Sequence, residues 1–172
     1  MTQLARLIRD VPDFPKKGII FKDITPMLRD AGAFAACIEA LRAHHAEDRI
    51  DAVAAIESRG FMFGGALALR LGCGFIPIRK AGKLPHDTLS ETYALEYGTD
   101  TVQIHRDAVT SGDRILLLDD LLATGGTARA AVSLVRKLDG EVVGATFVVE
   151  LDFLHGRARL EDVPLHSLIH YT

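Results

Sequence analysis

The chain has 172 residues, about the length of one globular domain, with 20 Lys plus Arg against 23 Asp plus Glu and a net charge of -3. With 48% hydrophobic residues, this balance excludes a disordered chain. It also provides no general attraction to nucleic acid or an anionic membrane, which draws on clustered Lys and Arg. Cys37 and Cys73 have no spacing typical of a disulfide framework or zinc site, and no apolar stretch reaches the ~18 residues of a membrane span. The opening ten residues carry Arg6, Arg9 and Asp10 and lack the apolar run of a signal peptide, so one cytoplasmic domain is expected.

In chain order, Leu4, Leu7 and Ile8 have the spacing of a short amphipathic helix ended by Pro12, and residues 18–25 read as extended or looped. Phe34, Cys37, Ile38 and Leu41 recur at three- and four-residue intervals, predicting a helix over 30–47. A strand over 52–56, a helix over 61–71 and a strand over 75–78 follow. Phe61, Phe63, Leu67 and Leu71 are the buried stripe of that second helix. Between Arg79 and His105 the helical rhythm vanishes around Gly82, Pro85 and Gly98, so this segment reads as a long loop followed by a hairpin, a common form for a lid. The purely apolar run 115–118, a helix over 127–138 and a strand over 142–151 complete alternating β and α elements, the order of a parallel α/β sheet.

The segment Ile115-Leu116-Leu117-Leu118-Asp119-Asp120-Leu121-Leu122-Ala123-Thr124-Gly125-Gly126-Thr127 carries the chemistry. A buried strand empties into a glycine turn that starts a helix. Gly125 and Gly126 can take positive φ and leave N–H groups open, while Thr124 and Thr127 add hydroxyls at the positive end of the helix, which suits a phosphate monoester. Asp119 and Asp120 stand where α/β sheets bind ligands and are suited to accept hydrogen bonds from a ribose diol. The bland alternative is a strand-to-helix turn with a solvated acidic end. No Walker lysine follows the glycines, and Gly72-Cys73-Gly74 lacks the third glycine of a dinucleotide fingerprint.

This segment resembles the phosphoribosyl pyrophosphate motif of the type I phosphoribosyltransferases. Other blocks are similar to the adenine-specific members of that family: Asp13-Phe14-Pro15, Gly18-Ile19-Ile20-Phe21-Lys22-Asp23-Ile24, Glu57-Ser58-Arg59-Gly60-Phe61, Ile78-Arg79-Lys80-Ala81-Gly82-Lys83-Leu84-Pro85 and Leu95-Glu96-Tyr97-Gly98. The resemblance implies a central, mainly parallel sheet flanked by helices within one domain spanning residues 1–172. It adds a hood from about 1–30 and 150–172, a flexible lid over about 79–105, and a homodimer. It implies transfer of the phosphoribosyl group from phosphoribosyl pyrophosphate to adenine, giving AMP and pyrophosphate, with magnesium held mainly through the pyrophosphate and no direct protein ligand.

By the same resemblance, Asp119 and Asp120 hold the ribose hydroxyls and Ala123, Thr124, Gly125, Gly126 and Thr127 the 5-phosphate. Arg59, Arg79, Lys80 and Lys83 face the pyrophosphate, with Arg59 also counted among the catalytic residues. Phe21 stacks on the purine, the Ile20 and Lys22 backbone reads its edge, and Leu151 closes the other face. Glu96 is the acid/base candidate, suited to manage the proton of the base. Two alternatives remain open at this point: a 6-oxopurine in place of adenine, and a purine-responsive regulator of nucleic acid, which the acidic chain disfavours for want of a basic module. His166 and His170 are four apart, but with no third ligand evident they do not define a zinc site.

Overall fold

The computed structural model describes residues 2–94 and 98–172. A short helix α1 (Thr2–Ala5) leads into an antiparallel pair, β1 (Arg9–Pro12) and β2 (Ile20–Asp23), which stands apart from the main sheet. Arg9 pairs with Asp23 across this ribbon, Nε to Oδ2 at 3.0 Å, and Asp23 accepts from the Thr25 N–H at 2.9 Å to begin α2 (Thr25–Arg29). Neither β1 nor α2 is expected from the sequence pattern: each has five residues or fewer, too few to display a period.

Helix α3 (Ala31–His44) starts where Asp30 caps it, accepting from the Ala33 N–H at 2.8 Å. Then come β3 (Ala52–Ile56), α4 (Gly60–Leu71), β4 (Gly74–Lys80), β5 (Thr88–Ala94), β6 (Thr99–His105), β7 (Arg114–Leu122), α5 (Gly126–Lys137), β8 (Glu141–Leu151), two short 3-10 turns, and β9 (Leu165–Tyr171). The order across the main sheet is β5-β6-β4-β3-β7-β8-β9. The pairs from β4 through β9 are parallel and the β5–β6 hairpin joins antiparallel at the β4 edge. The segment read from sequence as loop and hairpin is thus mostly strand; its polar alternation, with one face half-exposed, hides the start of β5.

Both faces of the central strands are buried, which explains their unbroken apolar runs. Ala52, Ala54, Ile56, Ile115 and Leu117 point to one core layer with Ala131 and Val135 of α5. Val53, Ala55, Leu116 and Leu118 point to the other, with Cys37 and Leu41 of α3 and Phe63 and Leu67 of α4. The crossover β3-α4-β4 therefore leaves β3 on one face, and β7-α5-β8 leaves β7 on the opposite face. The order in which strands are added reverses between the neighbouring parallel strands β3 and β7, and such a switch point opens a crevice at the carboxyl ends of the strands.

Candidate active site

Asp119 and Asp120 lie on β7 as it passes the end of β3. Asp119 keeps some exposed surface, yet its carboxyl group is enclosed; Oδ1 accepts from the Asp120 N–H at 2.8 Å. Burial, then the neighbouring Asp120 charge, pushes the Asp119 pKa well above the ordinary carboxylate value. Asp120 is buried and is also pushed up by burial, against the pull of Arg59, whose Nε lies 2.9 Å from Oδ2. Two adjacent enclosed carboxylates with one cation between them form a costly arrangement, of the kind that ligand hydroxyls and cations relieve. Gly60, at the start of α4, lets this pair sit close: a Cβ there would meet Asp119 Oδ1 at 2.8 Å.

After Leu122 the backbone turns through Gly125, at φ 78°, and enters α5, whose first free amides face a small recess lined by Asp119, Ala123, Thr124, Gly125, Gly126 and Thr127. Only Gly125 takes the left-handed conformation. Gly126, expected from sequence to share it, is the first residue of the helix, because one reversal suffices to aim the amides. The loop is buttressed from a distant segment. Gly156, between the 3-10 turns, packs so closely that a Cβ on it would meet the Ala123 carbonyl oxygen at 2.2 Å, and a Cβ on Gly125 would meet the Gly156 carbonyl at 2.4 Å.

Beside this recess lies a cleft of about 510 Å³ whose walls include Glu57, Ser58, Arg59, Lys80, Tyr93, Asp100, Asp119, Asp120 and Thr127. They come from the ends of β3, β4 and β7 and from the hairpin. The Arg59 guanidinium also stands 5.0 Å from the centroid of the Phe21 ring, which Phe14 meets edge-on at 5.2 Å, so the β1–β2 ribbon is tied to the cleft. A recess lined by the glycine turn and a cleft holding an acidic pair and cations therefore adjoin at the switch point, sharing Asp119, Ala123 and Thr127.

Comparison with known proteins gives the same answer. The phosphoribosyl transferase domain family matches residues 25–164. An adenine phosphoribosyltransferase of Acidobacterium capsulatum is 57% identical over 169 residues, covering 98% of this chain and 93% of that protein. The chain belongs to the adenine phosphoribosyltransferase family. Among solved members, that of Thermoanaerobacter pseudethanolicus superposes with a TM-score of 0.97 at 53% identity, covering 99% of each chain. The Saccharomyces cerevisiae member, in a complex with adenine and an imino-altritol bisphosphate, superposes at 0.93 with 43% identity, covering 97% of each chain.

In this family member, the residues singled out from sequence do not all line the cleft. Asp119, Asp120, Ala123 and Thr127 line the cleft together with Arg59 and Lys80. Arg79 and Lys83 are not among its lining residues: Arg79 donates to Glu57 Oε2 at 2.7 Å and to the Lys83 carbonyl at 3.0 Å, and Lys83 is exposed. On the ribbon side, Ile20 is 56% exposed and Phe21 half-buried, and Lys22 is held by Asp10 at 2.7 Å over the Tyr171 ring. Leu151 is buried at the end of β8. Glu96 lies outside the described residues.

Sequence reasoning missed Tyr93 and Asp100, which line the cleft and sit opposite each other across the hairpin. Gly98, at φ 85° immediately before β6, was their signal, since a glycine in the left-handed region marks the edge of a strand. It also missed Gly60 and Gly156, whose importance lies in tertiary approach alone.

The histidines take no part in this cleft. His166 stacks on His44 with centroids 3.5 Å apart, and burial lowers its pKa to about 4. His170 lies near Glu150 and Asp152, and these three offer ligand atoms within 4.8 Å of one another, a group capable of holding a metal ion. Glu150 already accepts from Arg157 at 2.7 Å and Ser167 at 2.6 Å, so its charge is balanced without one. Among the described residues, no helix is long and apolar enough to cross a membrane.

Proposed function

We propose that this chain transfers the phosphoribosyl group of phosphoribosyl pyrophosphate to adenine, giving AMP and pyrophosphate. The observation that carries the reading is the joining of the phosphate recess to the Asp119–Asp120 pair and the Arg59–Lys80 cations in one cleft. The bond from C1 of the ribose to pyrophosphate breaks, a bond from C1 to a purine ring nitrogen forms, and the base gives up a proton. The sugar carries positive charge as it passes between them, so positioning and charge placement dominate catalysis.

In this reading the amides and hydroxyls of Ala123–Thr127 hold the 5-phosphate while Asp119 and Asp120 accept from the ribose hydroxyls, their enclosed charges strengthening each bond. Lys80 receives the departing pyrophosphate from the cleft wall, Arg59 swings from the Phe21 ring to join it, and Arg79 and Lys83 turn in from the margin. Phe21 stacks on adenine once Arg59 leaves its ring face for phosphate, with the Ile20 and Lys22 backbone reading the base edge and Leu151 supporting the other side. Glu96 takes the proton of the base. The β1–β2 ribbon with the last twenty or so residues forms the hood, and residues 79–105 the lid that excludes water.

The donor set suits magnesium carried by the substrate. Of the four carboxylates lining the cleft, Asp120 is paired with Arg59, Glu57 with Arg79 and Asp100 with Lys80; Asp119 alone has no cation partner among the described residues, and one carboxylate is no cage for an oxygen-loving cation. When bound with the pyrophosphate oxygens, magnesium neutralises the leaving charge. Homodimerisation belongs to the same proposal, and the exposed apolar side chains of Met62, Leu69 and Phe75 on α4 and β4 provide surface for it.

The test supplies phosphoribosyl pyrophosphate and magnesium with adenine, hypoxanthine, guanine, xanthine or orotate in turn, following nucleotide and pyrophosphate. Adenine should be consumed at least ~100-fold more efficiently than the others, a floor well under the ~10⁴-fold by which a site built for one hydrogen-bonding pattern can reject another. Preference for a 6-oxopurine would overturn the assignment.

A further inference from the structure

Lys80 is in the wall of the cleft, but its ammonium group is already engaged. Asp100, at the start of β6, places Oδ2 3.2 Å from Lys80 Nζ and accepts from the Tyr93 hydroxyl at 3.4 Å, while its Oδ1 accepts from the Thr101 N–H at 2.8 Å. Tyr93 and Asp100 are cross-strand partners in the hairpin, and Thr127 at the start of α5 stands in the wall of the same cleft. A polar chain therefore runs from Tyr93, through Asp100 on the facing strand, to the cation at the end of β4. All four residues line the same cleft.

Burial works against the Asp100 charge, yet the Thr101 N–H and the Lys80 ammonium outweigh it and hold its pKa below the ordinary value; Lys80 is correspondingly raised by Asp100. Both groups are thus charged at neutral pH. An anion fixed in the wall of an anion-binding cleft acts in two ways. It occupies the cation that an incoming diphosphate needs, and it repels the diphosphate itself.

We propose that Asp100 is an internal stand-in for the diphosphate: it holds Lys80 and the hairpin in place while the cleft is empty, yields Lys80 to the substrate, and reclaims it as pyrophosphate leaves. This deepens the reading given above and rests on it. Asp100 is a positioning residue that weakens binding of substrate and of product pyrophosphate alike, so it raises KM for phosphoribosyl pyrophosphate and speeds product release.

The test is Asp100→Asn, which keeps an oxygen for the Thr101 N–H while removing the charge, with Asp100→Ser as a second variant should the first fold poorly. KM for phosphoribosyl pyrophosphate should fall ~3- to 10-fold and the inhibition constant of inorganic pyrophosphate should fall in step, while KM for adenine stays put. Turnover number should not rise, because release slows. In a Lys80→Met background, the effect of Asp100→Asn on pyrophosphate binding should shrink to less than half, as coupled partners require. A rise in KM, or unchanged binding of both diphosphates by a folded variant, would overturn the inference. A wild-type chain that makes no AMP would instead sink the functional reading, so the two failures are distinguishable.

Discussion

Gly156→Ala is the sharpest test of how the phosphate loop is held. A Cβ at this position would stand 2.2 Å from the Ala123 carbonyl oxygen and 3.0 Å from the Gly125 nitrogen, both backbone atoms that cannot rotate away. Opening the closest contact to an ordinary 3.4 Å moves one of the two segments by about 1 Å. Overpacking of this kind costs about 1–3 kcal/mol, which for a chain of this size lowers Tm by ~3 to 10 °C. The functional cost is larger in proportion, because a ~1 Å misplacement of a positioning group can cost ~100-fold in rate. Expected is a fall of ~10- to 100-fold in kcat/KM for phosphoribosyl pyrophosphate, most of it in KM. Gly65→Ala serves as control: nothing lies within 4 Å of its added Cβ inside α4, so kcat/KM should hold while Tm rises by ~2 to 4 °C with the better helix former. The assay pairs thermal unfolding with initial rates at varied phosphoribosyl pyrophosphate. If Gly156→Ala kept kcat/KM within twofold and Tm unchanged, the buttress would be refuted.

Asp119→Asn and Asp120→Asn should each lower kcat/KM by at least ~10-fold, as expected when a charged hydrogen-bond acceptor becomes neutral, and folded variants of both with full efficiency would exclude a ribose role. Glu96→Gln should reduce kcat by ~100-fold with AMP affinity little changed; AMP formation at the wild-type rate in pre-steady-state measurements, with only release altered, would make it a gating residue. His166 is held neutral in the fold, with a pKa of about 4 against 6.5 in the open chain. Its contribution is intact above pH 6.5, declines as pH falls from 6.5 towards 4 because the unfolded chain takes up the proton first, and declines no further below about 4. Because the ring is partly exposed, the loss is about 1 kcal/mol, or ~3 °C in Tm. His166→Gln should flatten that slope, and an unchanged slope would remove the histidine from the account.

The sheet was legible because burial on both faces writes itself as unbroken apolar runs: Ala52–Ile56 is the strand that its sequence predicts, and α4 and α5 begin within one residue of their apolar stripes. The phosphate loop and acidic pair were legible because glycines, hydroxyls and carboxylates follow one another within thirteen residues. What escaped depends on contacts between distant segments. Gly156 matters only because Ala123 and Gly125 come to lie against it, and Asp100 only because β6 pairs beside β4 and brings it to Lys80. A local pattern carries no record of such approaches. Likewise Arg79 and Lys83 share a basic stretch with Lys80, but strand alternation and Glu57 turn Arg79 aside.

The central claim is group transfer between two ligands held in one cleft, and a single-turnover experiment addresses it most directly. With enzyme in excess over phosphoribosyl pyrophosphate, and adenine and magnesium present, rapid quench should find AMP and pyrophosphate appearing together in equal amounts at one rate. Mixing AMP with pyrophosphate should regenerate adenine. Release of pyrophosphate with ribose 5-phosphate in place of AMP, or no adenine in the reverse direction, would contradict the account.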